Sequence, residues 1–192
     1  TLMNKALELV ETRWLFDVPA DRLRVLVHPQ SIVHAVVECV DTAAFALMAL
    51  PDMKVPIAYA LAWPYRLPMT LPRLNLARLE SLTFFEPDPK RFPSIPLAYE
   101  VLRSGNGSQV VMNAANEVAV HAFLDRKIPF RAITRTVSGT LDKYTGSRIK
   151  NVADIFEVDR RARETAARIT MTLPIAVPVA KRSGAQGMCH AH

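Results

Sequence analysis

An amide, an ammonium and a carboxylate stand close together near the start of this sequence, at Asn4, Lys5 and Glu8. Asn4 and Glu8 are four residues apart, so a helix stacks them on one face. Lys5 lies roughly 100° round such a helix from Asn4 and reaches the same cleft. An ammonium sets a point charge against a phosphate. An amide both donates and accepts hydrogen bonds. A carboxylate suits Mg²⁺ or Mn²⁺, hard cations that take oxygen ligands. The set fits a phosphorylated, hydroxyl-rich molecule beside a divalent cation. Lys and Glu at this spacing also decorate ordinary solvated helices, and spacing alone leaves that reading open.

The other chemistry-bearing groups are weaker. In His28-Pro29-Gln30-Ser31-Ile32-Val33-His34 the histidines are six apart, and a continuous strand would aim both at one face. Pro29 works against a continuous ladder. No Cys, Asp or Glu stands at ligand spacing to complete a zinc site. Taken singly, these histidines read as hydrogen-bonded core or edge residues. Cys189, His190 and His192 resemble a metal cluster by composition only, in a tail of Pro, Ala, Gly and basic residues. Ser104-Gly105-Asn106-Gly107-Ser108 lacks a third glycine and follows a helical pattern, so it fails the dinucleotide fingerprint. No Gly-x-Ser-x-Gly elbow supports a serine hydrolase.

Elements must hold these side chains. Leu2, Ala6, Leu9, Val10 and Trp14 recur at helical spacing, which predicts a helix over 2–16. Pro19 and Asp21 open a turn. The apolar run 23–27 suits a strand, the Val-rich 32–40 a second, and 44–50 a third after the turn Asp41-Thr42. Residues 55–63 read as a helix with Pro56 in its first turn. Pro64, Pro68, Pro72, Pro87, Pro89 and Pro93 punctuate 64–93, which reads as a linker crossing a surface. Four helices are expected beyond it. One spans 97–103, between Pro96 and Gly105. Asn113 would cap the next, to 126, with the stripe Ala115, Val118, Ala119, Ala122, Phe123. Phe130, Ile133, Val137 and Leu141 mark the third. Asp159 would cap the fourth, with Ala162, Ala166 and Ile169 inward. The expected class is α+β: a short mixed sheet with helices in 1–63, the linker 64–93, a four-helix-bundle-like domain in 94–173 and a disordered tail in 174–192.

Composition narrows the function class. With 192 residues, half of them hydrophobic, the chain can bury a sizeable core. No apolar run reaches the roughly 18 residues of a membrane span, so no membrane partner is expected. Cys39 and Cys189 make no disulfide framework and suit a reducing compartment. The formal charge is +6, drawn in part from Arg160, Arg161, Arg163, Arg168, Lys181 and Arg182. These alternate with Asp159 and Glu164 and have no aromatic residues between them. That describes a solvated helix face and a basic tail rather than a nucleic-acid site. The chain opens at Thr1, straight into helical sequence, and is expected to be a fragment of a longer protein.

Four blocks, in order, resemble one family. They are Thr1-Leu2-Met3-Asn4-Lys5-Ala6-Leu7-Glu8, then His28-Pro29-Gln30-Ser31-Ile32-Val33-His34, then Pro51-Asp52-Met53-Lys54-Val55-Pro56-Ile57-Ala58 with Ala62-Trp63-Pro64, and last Asn113-Ala114-Ala115-Asn116-Glu117. Their order and separations are similar to those of 1-deoxy-D-xylulose 5-phosphate reductoisomerases, from residue 1 to about residue 172. The resemblance implies an N-terminal NADPH-binding domain, a central α/β catalytic domain whose C-terminal part would be 1–63, and a C-terminal helical domain. It implies rearrangement and NADPH-dependent reduction of 1-deoxy-D-xylulose 5-phosphate to 2-C-methyl-D-erythritol 4-phosphate, with Mg²⁺ or Mn²⁺, in the non-mevalonate isoprenoid pathway. By the same resemblance Asn4 and Lys5 bind substrate, Glu8 binds metal and substrate, and His34 stands near the reaction. Pro51 and Met53 line the pocket near nicotinamide and substrate. A homodimer in a bacterial cytoplasm, or in a plastid, is implied too.

The departures from that family are specific. Its Asp-x-Glu pair of metal ligands, its phosphate-binding serines, its mobile loop and its nucleotide domain have no counterpart here, and no residue is assigned to the cofactor. Thr42-Ala43 and Ala49-Leu50 stand where the family often has glycine. The chain by itself is therefore expected to be inactive, and a silent structural or interaction module is the alternative reading for it in isolation.

Overall fold

A computed structural model describes residues 1–105, 107–146 and 149–174. These are mostly helical, with six α-helices and one two-stranded antiparallel sheet. The expected tail lies, from 175 on, outside the described residues, as do Cys189, His190 and His192. Contacts divide the chain into two units: Thr1–Leu23 with the chain from Asp88 onward, and Arg24–Pro87.

In the first unit, helix α1 (Met3–Phe16) buries Met3, Ala6 and Leu9 and packs against α3 (Ser94–Ser104). Leu2 and Asp17 at its ends are both left-handed, at φ 54° and 50°. The Ser94 hydroxyl donates to the Thr1 carbonyl, and the Tyr99 hydroxyl donates to the Leu23 carbonyl at 2.8 Å. These contacts tie both ends of the segment 1–23 to α3. Helix α1 joins the C-terminal helices because its apolar face is completed by Ile95, Ala98 and Val101 on α3, whose burial no local pattern in 2–16 announces. Trp14, expected on the apolar stripe, is 68% exposed.

Helices α4 (Ser108–Leu124), α5 (Ala132–Asp142) and α6 (Val152–Thr172) pack against one another. Helix α4 is lined with Ala114, Ala115, Ala119 and Ala122, small residues that let its neighbours approach closely. One cluster joins Ala119, Ala122, Ile128, Ala132 and Ile133; another joins Val111, Ala114, Val158 and Ala162. The buried hydroxyls of Thr136 and Thr140 are satisfied by the carbonyls of Ala132 and Thr136, at 2.9 and 2.7 Å.

Two expected caps are corrected. Helix α4 starts at Ser108, after Gly107 at φ +86°, where an added Cβ would lie 2.5 Å from the Tyr144 hydroxyl oxygen. Asn113 is therefore interior to it. Helix α6 starts seven residues before Asp159, at Val152, capped by Asn151 in a box with Asp154. Asp159 instead pairs with Arg163 at 2.6 Å along the helix. Arg160 and Arg161 flank Glu157 and hold its carboxyl down at about 2. Arg160, Arg161 and Arg163 are thus matched by carboxylates on their own helix, while Arg168 bonds to Thr165 and Lys181 and Arg182 lie outside the described residues.

In the second unit, β1 (Val33–Glu38) and β2 (Ala44–Met48) form an antiparallel hairpin, with Val36 opposite Ala46 and Val37 opposite Phe45. Its turn closes with Cys39 N–H donating to the Ala43 carbonyl at 2.8 Å, over Thr42 at φ 71°. The expected mixed sheet of about three strands is corrected to these two. The run 23–27 pairs only at Val27, which exchanges backbone bonds of 2.8 and 2.9 Å with Phe85. Pro29 has no N–H with which to extend the pairing. Helix α2 (Lys54–Ala62) follows, and Arg66 stacks over Tyr59 at 4.3 Å. The Trp63-Pro64 peptide is cis. Ile32 is the one buried hydrophobic residue of this unit.

Candidate functional site

The helix expected to carry Asn4, Lys5 and Glu8 is present, and it brings the three together. Asn4 Nδ2 donates to Glu8 Oε1 at 2.7 Å, while Lys5 Nζ meets Oε1 at 2.9 Å and Oε2 at 2.7 Å. The buried side chains of Met3, Ala6 and Leu9 anchor this turn of α1 and leave the polar trio outward. Lys5 and Glu8 are 52% and 43% exposed, so water screens their attraction, which is worth at most about 1 kcal/mol. A ligand that offers a phosphate to Lys5 and a cation to Glu8 displaces this pair at small cost. The amide oxygen of Asn4 keeps its acceptor capacity while its nitrogen is engaged.

A carboxylate with an amide oxygen beside it suits a hard cation and not zinc. Glu8 supplies one anionic ligand. Among the described residues no three His, Cys, Asp or Glu side chains gather as a metal-binding group. The trio therefore fits a divalent cation as one side of a site that needs further ligands.

His34, Pro51 and Met53 belong to the second unit. His34 stands on β1, and its Nε2 is 3.2 Å from the Ala49 carbonyl, which can only accept, so Nε2 carries the proton. The Ala49 N–H in turn donates to the Ile32 carbonyl at 3.0 Å. Pro51 and Met53 follow directly, and both are exposed at the approach to α2. Asp52 Oδ1 accepts from the Lys54 N–H at 2.8 Å and sets the start of that helix.

The partners of two polar groups were missed by sequence reasoning, although His28 is hydrogen-bonded as expected. His28 stacks on Phe84 at 4.5 Å, and its Nδ1 donates to the Thr83 carbonyl at 2.8 Å. Gln30 Nε2 donates to Thr83 Oγ1 at 3.0 Å. Gln30 and Thr83 are 53 residues apart, and no local spacing connects them. The second group was legible in principle. Asn113 and Glu117 repeat the four-residue interval of Asn4 and Glu8, and Asn113 Nδ2 donates to Glu117 Oε1 at 2.9 Å. Arg163 of α6 meets the other Glu117 oxygen at 2.8 Å. That bond above all holds the Glu117 carboxyl below its usual range; burial opposes it, and the Asn113 amide adds a smaller lowering.

A family model described as the DXP reductoisomerase C-terminal domain matches residues 48–165. The 1-deoxy-D-xylulose 5-phosphate reductoisomerase of Chlorobium phaeobacteroides is 49% identical over 166 residues, 86% of this chain and 43% of that protein. That of Geobacter metallireducens is 47% identical over 169 residues, 88% of this chain and 44% of that protein. The solved Zymomonas mobilis enzyme in complex with NADPH superposes with a TM-score of 0.83 at 44% identity, covering 90% of this chain and 46% of that one. A DOX-P reductoisomerase in complex with NADPH, fosmidomycin and magnesium superposes at 0.82 with 38% identity, covering 88% of this chain and 44% of that one. The chain thus spans less than half the length of these relatives. Since the family model covers more than half of the 192 residues, the chain belongs to the DXP reductoisomerase C-terminal domain family.

Proposed function

We propose that the chain is part of a 1-deoxy-D-xylulose 5-phosphate reductoisomerase, the enzyme that converts this phosphorylated sugar to 2-C-methyl-D-erythritol 4-phosphate in the non-mevalonate isoprenoid pathway. The convergence of Asn4 and Lys5 on the Glu8 carboxylate supports this reading most directly. In it, Lys5 neutralises the substrate phosphate and Asn4 orients it through a directional amide. Glu8 is one ligand of Mg²⁺ or Mn²⁺ and also faces the substrate. The cation, when bound, polarises the substrate's oxygens. In this reading NADPH is held mainly by a separate nucleotide-binding domain of the full-length enzyme. His34 stands near the reacting centre, and Pro51 and Met53 line the pocket beside nicotinamide and substrate. The hairpin belongs with the catalytic α/β domain, and α3 to α6 form a C-terminal helical domain.

Lys5→Ala in the full-length enzyme tests the reading. If the ammonium holds phosphate equally in the ground and transition states, the substrate KM rises about ten- to a hundredfold with kcat nearly unchanged. Steady-state kinetics that return an unaltered KM would remove Lys5 from the site.

The hairpin face carrying Val37, Phe45 and Leu47, which are 62%, 66% and 57% exposed, supports a homodimer formed through this sheet. Equilibrium sedimentation of the full-length enzyme at micromolar concentration is expected to give twice the chain mass, and a monomer mass contradicts it. No helix among the described residues is long and apolar enough to cross a membrane. The relatives named above are bacterial, and the reading places the enzyme in the cytoplasm of a bacterium.

A further inference from the structure

Pro51 and Met53 are exposed and sit in the connection between β2 and α2, where the Met53 carbonyl accepts from the Ile57 N–H at 3.2 Å and so ties the helix side. The strand side of the connection is set by Ala49. The Ala49 N–H donates to the Ile32 carbonyl at 3.0 Å, and its carbonyl accepts from His34 Nε2 at 3.2 Å. Ile32 and His34 are in turn placed by the segment before them, which turns sharply at Ser31, with φ 52° and the Ser31 N–H bonded to the His28 carbonyl at 3.1 Å. That segment is clamped to residues 83–85 by four features. Val27 and Phe85 exchange backbone bonds. The His28 Nδ1–H donates to the Thr83 carbonyl at 2.8 Å. The His28 ring lies on Phe84 at 4.5 Å, with 12° between the ring planes. The amide nitrogen of Gln30 donates to Thr83 Oγ1 at 3.0 Å, while its oxygen accepts from the Thr83 N–H at 3.3 Å.

This clasp is unusually polar for a unit whose one buried hydrophobic residue is Ile32. Hydrogen bonds and a ring stack are directional, so they fix a register that loose apolar contact would not. The tautomer follows as well. Nδ1 carries the proton that Thr83 accepts, and Nε2 is buried without a partner among the described residues.

We propose that His28 and Gln30 are positioning residues, which clamp residues 27–30 to Thr83 and Phe84 and, through Ile32, His34 and Ala49, hold Pro51 and Met53 in one place in the nicotinamide pocket. The inference rests on the function proposed above and adds to it the part of the fold that sets the geometry of the pocket wall. A displacement of the wall loosens what it touches without removing a reacting group, so the binding of NADPH suffers before the chemistry does.

The test is steady-state kinetics of the full-length enzyme with Gln30→Ala, Thr83→Val, Thr83→Ser and, as a control, Gly107→Ala, each with a thermal melt. Gly107→Ala strains the other unit, where its Cβ meets the Tyr144 hydroxyl. Gln30→Ala and Thr83→Val are expected to raise the NADPH KM about tenfold with kcat within about twofold. Thr83→Ser, which keeps the hydroxyl, restores the wild-type KM. Gly107→Ala lowers Tm and leaves KM alone. The inference is overturned if Thr83→Val and Thr83→Ser behave alike, or if the clasp variants shift Tm only. Should Gln30→Ala fail to fold, the two Thr83 variants decide by themselves. A wild-type enzyme without turnover on 1-deoxy-D-xylulose 5-phosphate sinks the function reading instead, which separates the two failures.

Discussion

Glu8→Gln in the full-length enzyme lowers kcat by at least about a hundredfold and leaves the fold intact. The substitution keeps the shape of the side chain and removes its charge. A divalent cation loses an anionic ligand, and the substrate loses part of the field that polarises it. The fold has little to lose. Glu8 is 43% exposed, and its side-chain bonds run only to Asn4 and Lys5 within the same helix. The carbonyl oxygen of a glutamine at this position still accepts from Asn4, and helix propensity barely changes. The exposed pair with Lys5 contributes at most about 1 kcal/mol, so the melt moves little. Kinetics at saturating Mn²⁺ beside a thermal melt separate these effects. Near-normal kcat, or a loss explained by unfolding, would return Asn4, Lys5 and Glu8 to the ordinary solvated helix face that their spacing also allows.

The 192-residue chain, purified by itself, gives no NADPH oxidation dependent on 1-deoxy-D-xylulose 5-phosphate. Hydride transfer requires a nicotinamide held against the substrate. The sequence contains no Gly-rich strand-turn-helix to hold one. Glu8 is one carboxylate where a cation needs several, and no three-ligand group exists among the described residues. Weak binding at each half of the reaction multiplies into no measurable rate. The assay is absorbance of NADPH with added Mn²⁺, the chain at micromolar concentration and no other protein. Turnover above the no-enzyme blank would mean that the chain binds cofactor and cation through groups not identified above.

The sequence carried the local part of the site. Asn4 and Glu8 four apart on a helix must share a face, so their contact follows from helical geometry once the helix forms. The same rule placed the alanine stripe of α4 in the core and gave Arg160, Arg161 and Arg163 of α6 carboxylate partners along their own helix. Helix ends were less legible. Asn113 and Asp159 have the side chains of caps, but the stronger signals lay upstream, in Gly107 and in the reciprocal pair Asn151 and Asp154.

What the sequence by itself determined, then, was the meeting of Asn4 with Glu8 and the burial of the α4 alanines, because the period of a helix sets which side chains share a face. Only the tertiary structure decided the rest. Helix α1 could have buried its Met3, Ala6 and Leu9 face against any apolar surface, and it took α3. The run 23–27 read as a strand, yet it pairs once, at Phe85, across a separation that no periodicity spans. Gln30 and Thr83 share no pattern in the chain and meet at 3.0 Å in the fold. The physical reason is common to all three. Apolar burial is non-directional and names no partner, while the choice among partners falls to shape and to the few directional bonds that close only when distant segments are already side by side.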